Sequence, residues 1–257
     1  MEDYYELKWT FTPVDYFEQD LYLDVNGVTI AVRAGWAEAR IDPARYEQDA
    51  DLQEDLHEHL FQAFRGAQLV ALKPFELSRP SKTRVHPNGK REIYAEVGIA
   101  VEVDQAHRVD FLVRKADGTV IDSKADRLAE KRKLAERVRQ YASDERLTAM
   151  LDSITRGLTD KPNCLVRLYE ILDSLMSKFG GKKQAISALS LCKSDWDELG
   201  QLANAKPLQE SRHRGQMVGS LRPATSLRPA TEDELGRCRR IASEFIVKYL
   251  EYLENQT

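Results

Sequence analysis

Long apolar runs are missing from this chain of 257 residues. None approaches the roughly 18–20 residues that cross a bilayer, which excludes helical membrane spans and a membrane partner. The opening MEDYYELKWTF is acidic and aromatic where a secretory leader would be basic and apolar, so a cytoplasmic location is expected. Cysteine is scarce. Cys164, Cys192 and Cys238 lie far apart, show no CxxC spacing and fall in helix-like apolar patterns, so they read as reduced core thiols. A glycine-rich phosphate loop is lacking, since KFGGKKQAIS does not have the Walker spacing. Histidine is thinly spread. His57 and His59, two apart on a predicted helix, point about 200° apart; His86 sits in a turn and His107 begins a strand. No metal set assembles, and neither a metal nor a cofactor is expected.

What is present is charge, unevenly placed. The net charge is −4, yet residues 1–120 carry 14 Lys+Arg against 22 Asp+Glu, and residues 121–257 carry 24 against 20. Opposite signs in the two halves suggest two units, and the chain is long enough for each to bury its own core. The overall acidity argues against a dedicated duplex-DNA binder.

The first half reads as an acidic α+β domain over residues 1–122, mainly antiparallel β with one helix. LYLDVNGVTIAVRAG alternates around Asn26-Gly27, a strong two-residue hairpin signal. EIYAEVGIAVEV alternates from Ile93 to Val103, and RVDFLVRKADGTVID is a second hairpin turning at Asp117-Gly118. QLVALKPFEL reads as a strand that Pro74 places at an edge. Leu52, Leu56, Leu60, Ala63 and Phe64 recur at helical spacing and predict a helix over about 47–65. WTFTPVDYFE and Trp36 are aromatic-rich; core packing is the expectation, a ligand-facing aromatic wall the alternative.

The second half, 123–257, reads as an all-helical bundle of about five helices. One long charged helix is predicted from Ser123 to about Gly157, started by Asp122 or Ser123. Pro162 opens a second that Gly180-Gly181 ends. KKQAISALSLC and SDWDELGQLANA predict two short helices. Acids at the head of the latter oppose a DNA-reading role, so Trp196 reads as core. Thr231 and Glu234 form a capping box for a last helix over about 232–254. Between them, 207–230 is a long basic loop without periodicity. It contains the hexapeptide SLRPAT twice, at 220–225 and 226–231.

That loop holds the leading candidate site. Lys206, Arg212, Arg214, Arg222 and Arg228 supply five cations. In an extended segment Arg212 and Arg214 share a face and could clamp one phosphate, with His213 on the other side for proton transfer. The competing expectation is that these arginines pair with acids of the bundle and pin the loop. No aromatic is interleaved, as single-strand stacking would require.

The run LYEILDSLMSKFGGKKQAISAL, with LGQLANAKPLQESRHRG, LRPATEDEL and ASEFIVKYLEYL, resembles the C-terminal helical half of bacterial proteins compared with HEPN-like domains, some from defence-type gene neighbourhoods. The resemblance covers about 160–255 and implies at most a HEPN-like bundle, homodimeric through the helical domain and inactive. HEPN ribonucleases separate their Arg and His by four to six residues on a helix. Here Arg212 and His213 are adjacent, and the only spaced pair, Arg79 and His86, falls in a predicted loop, so the ribonuclease chemistry is not carried over.

A metal-dependent nuclease is the other enzymatic reading. Asp110 on one strand, with Asp122 and Lys124 two apart on the next, is similar to the PD-(D/E)xK arrangement, with Glu54 or Glu58 completing the set. Asp122 as a helix cap would take Lys124 off the strand. The sequence therefore predicts a non-catalytic binding or regulatory protein of bacterial stress response or phage defence. Its Arg212–Arg214 loop would contact a phosphate-bearing ligand, RNA or an acidic protein. A nuclease using Arg212 and His213, or Asp110, Asp122 and Lys124, is the alternative.

Overall fold

Alternation at every second residue builds the first sheet. In the computed structural model, which describes residues 3–94, 112–114, 120–212 and 227–256, Tyr5, Leu7, Trp9 and Phe11 of β1 (Tyr4–Thr12) all point to one side and are buried. β2 (Leu21–Val25) and β3 (Val28–Arg33) close over Asn26 and Gly27 at φ of 52° and 78°, the left-handed values a tight hairpin turn needs. Leu21, Leu23, Val25, Val28, Ile30 and Val32 are buried, as their alternation predicts. β4 (Trp36–Ile41), the short β5 (Glu76–Leu77), β6 (Ser81–Val85) and β7 (Arg91–Tyr94) complete an antiparallel sheet in the order β2-β3-β4-β1-β6-β7, with β5 beside β1. The segment around Arg79 and His86, expected as a loop, contains β6, which pairs with β1 from Tyr4–Val85 to Lys8–Ser81. A separate two-stranded ladder joins β8 (Leu112–Arg114) to β9 (Val120–Asp122). This is the second hairpin of the sequence; its Asp117-Gly118 turn and the alternating run beyond Tyr94 lie outside the described residues.

The helix expected over 47–65 is two: α1 (Pro43–Gln48) and α2 (Leu52–Ala71). Gln68 to Ala71, expected to begin a strand, complete α2. Leu60, Ala63, Phe64, Ala67 and Ala71 continue one helical stripe into the core. α3 (Ser123–Gln140) joins the same core through Ala135. Its approach depends on Gly66 of α2: a Cβ there would lie 2.3 Å from the Leu134 carbonyl oxygen and 2.6 Å from the Ala135 Cα. Lys131 of α3 is buried, its ammonium donating to the Tyr16 carbonyl at 2.8 Å and to Glu18. Arg127 joins the pair at 2.5 Å.

The expected single helix from Ser123 to Gly157 is broken. Residues 1–71 and 75–139 form one compact unit, and residues 72–74 and 140–257 the other, so α3 belongs with the sheet and the division falls after Arg139 instead of at Asp122. Asp144 caps α4 (Glu145–Thr159) by accepting from the Leu147 amide at 2.7 Å, which starts a new helix. α5 (Cys164–Phe179) ends on Gly180 at φ 78°. α6 (Lys182–Ala188), α7 (Lys193–Gly200) and α8 (Glu232–Glu254) follow. This gives five α-helices among the described residues of the second unit. Trp196 stacks on Phe245 at 5.6 Å in its core. Cys164 and Cys238 are buried as expected; Cys192 is exposed. No described helix is long and apolar enough to cross a membrane.

Candidate functional site

The two ends of the basic loop are held together. The last turn of α7 widens into a π turn over Gln201–Ala205, a local rearrangement often found at functional positions. Four residues beyond Ala203 comes Pro207, which has no amide hydrogen to continue the helix. The Ala203 carbonyl instead accepts from the Arg212 amide at 2.9 Å. On the returning side, the Arg228 amide donates to the Pro207 carbonyl at 3.2 Å, and the Gln209 amide to the Arg228 carbonyl at 3.0 Å. Glu210, largely buried, accepts from the Ala230 amide at 2.9 Å. The buried Ser211 hydroxyl donates to the Leu208 carbonyl. Residues 207–212 and 227–231 thus form a fixed collar around the loop.

The predicted cations have separate roles. Arg228 meets Glu234 through two hydrogen bonds at 2.8 and 2.6 Å, and Lys206 lies 3.8 Å from the same carboxylate. The Arg228 contact is the main reason that Glu234 is held down to about 2. Glu234 also closes the capping box of α8 by accepting from the Thr231 amide at 3.0 Å. Lys206 and Arg228 therefore serve the helix start. His213, Arg214 and Arg222 lie outside the described residues.

Arg212 differs. Its guanidinium carbon is 4.7 Å from the centre of the Tyr169 ring, and Nη1 donates to Asp173 at 3.1 Å. Tyr169 and Asp173 are four apart on α5 and so share a face. The side chains of Arg212 and Asp173 are 41% and 46% exposed, so water reaches the pair. The aromatic absent from the loop's own sequence comes from α5. Pattern reading missed Tyr169 because nothing in the spacing of 164–179 tells which face meets residue 212.

The strand arrangement for a metal-dependent nuclease is not formed by Asp122 and Lys124. Asp122 Oδ1 accepts from the Lys124 and Ala125 amides at 3.0 and 3.1 Å, which makes it the cap of α3; Lys124 is helical and exposed. Glu54 is taken by Arg79 and Glu58 by Gln62. Asp110 lies outside the described residues. Among the described residues no group of three His, Cys, Asp or Glu side chains could hold a metal.

Comparison with protein-family models, with curated proteins and with solved structures gives no match.

Proposed function

We propose that the chain is a non-catalytic binding protein whose helical unit receives a phosphate-bearing ligand at Arg212. The observation that carries this reading is the exposed Arg212 guanidinium held between the Tyr169 ring and Asp173. An ion pair this exposed contributes about 0–1 kcal/mol, so a phosphate offering two oxygens to the fork can displace Asp173 at little cost. The ring behind the guanidinium then keeps the fork presented. The collar fixes the backbone of residue 212, so little ordering remains to oppose binding. Arg214 follows two residues on in sequence and would add charge to the same contact.

RNA is the ligand class to test first, since its backbone offers repeated phosphates. A fluorescein-labelled single-stranded RNA titrated against wild type and Arg212→Glu at rising salt provides the test. Loss of affinity by about tenfold and a shallower salt slope in the variant support the reading. Equal affinity and equal slope at low salt would overturn it.

A further inference from the structure

The sheet unit carries a second surface whose chemistry the loop does not explain. The strand pairings place outward-facing residues in rows. Tyr22, Ala31, Glu38, Lys8 and Ser81 cross β2, β3, β4, β1 and β6 in one row. Beside it on one side Arg33 faces Trp36, and on the other Arg40 faces Glu6. Tyr22 is 61% exposed. Lys8 and Arg33 lie 4.9 and 5.1 Å from the Trp36 ring centre, and Arg40 lies 5.2 Å from that of Tyr4.

This face differs in charge from the rest of its half. Residues 1–94 carry 11 Lys+Arg against 17 Asp+Glu. The outward positions of β1–β4 and β7 collect Lys8, Arg33, Arg40 and Arg91 against only Asp24, Glu6 and Glu38. Glu6 is paired with Arg91, Glu38 with Arg40, and Arg33 lies 3.7 Å from the exposed Asp20, surface pairs that a phosphate can displace at little cost. Lys8 meets no carboxylate among the described residues. An antiparallel face with rings two strands apart and cations beside them matches what an unpaired strand needs: π faces for its bases and cations for its phosphates.

We infer that the outer face of β2-β3-β4-β1 binds single-stranded nucleic acid. Trp36 and Tyr22 stack bases, and Lys8, Arg33 and Arg40 contact the backbone. This surface is independent of Arg212 and goes beyond the loop reading.

Tryptophan emission tests it in the full chain. Trp9 and Trp196 are 0% and 3% exposed, so quenching by a stacked base reports Trp36. Oligouridylate is titrated in the Arg212→Glu background, which removes the contribution of the helical unit. Saturable quenching that weakens by about tenfold in Tyr22→Ala and in Lys8→Glu supports the inference. Both residues are exposed, so neither change threatens the core. Absence of quenching, unchanged affinity in both variants, equal competition by duplex, or displacement of the strand by polyglutamate at equal charge would each overturn it. Quenching seen with Arg212 intact but absent in the Arg212→Glu background would also overturn it while leaving the loop reading intact.

Discussion

Trp9 is fully buried, and its indole nitrogen donates to His57 Nδ1 at 3.2 Å. The imidazole must therefore be neutral at that nitrogen. Burial first, and the nearby Arg79 charge second, push the His57 pKa below its usual 6.5. The folded state takes up this proton less readily than the unfolded chain, so the contribution is complete above about pH 6.5 and is lost as pH falls from there. His57→Leu leaves a buried indole donor unpaired, and a loss of about 1–3 kcal/mol is expected in denaturant unfolding at pH 7, with a flatter pH dependence between 5 and 7. Glu18 acts at lower pH. Burial would raise its pKa, but hydrogen bonds from Arg127 and Lys131 outweigh that and hold it at about 2. Its contribution is present above about pH 4.5 and disappears as the carboxylate protonates towards 2. Lys131→Met strands Glu18 beside Arg127 alone and leaves the Tyr16 carbonyl without its ammonium. A loss of about 3 kcal/mol, read from the denaturant midpoint, is the expected outcome.

Among elements, the contact of α2 with α3 allows the least freedom. Gly66→Ala drives a methyl into backbone, which no rotamer can relieve, so melting should fall by an amount corresponding to about 3 kcal/mol. Alanine is the better helix former, so an unchanged or raised melting temperature would show that the helices do not approach there. The duplicated hexapeptide resolves at this scale too. Arg228, Pro229, Ala230 and Thr231, which supply the collar and the α8 cap, all belong to the second copy. Thr231→Ala is expected to cost about 1 kcal/mol. Deleting Ser220–Thr225 leaves every one of those contacts in place and should leave the melting temperature unchanged in calorimetry. The turn at Asn26-Gly27, the stop at Gly180 and the Thr231 cap were legible because each rests on chemistry local to a few residues. The end of α2 was not. Gln68-Leu69-Val70 is as apolar as a strand, and only burial against the core makes it helical. The break at Asp144 left one signal, the six-residue step from Tyr141 to Leu147 that turns the apolar stripe by about 240°, while each side of it keeps helical spacing by itself.

At the scale of the molecule, each unit presents a cation against an aromatic ring: Arg212 with Tyr169 in the helical unit, and Lys8 and Arg33 with Trp36 in the sheet unit. The α+β class and the presence of a basic loop could be read from composition and periodicity. The partner of each cation could not. Five positive charges look alike in sequence, and only the fold assigns Arg228 and Lys206 to the less exposed Glu234 and Arg212 to the exposed Asp173. A ligand site at Arg212 differs from a merely structural ion pair in that Asp173 competes with the ligand for the guanidinium. The most direct measurement is the affinity of single-stranded RNA for Asp173→Asn beside wild type at low salt. Tighter binding, by up to about fivefold for an exposed pair, is the predicted result. Weaker or unchanged binding would contradict the account, because Asp173 would then serve only to pin the loop.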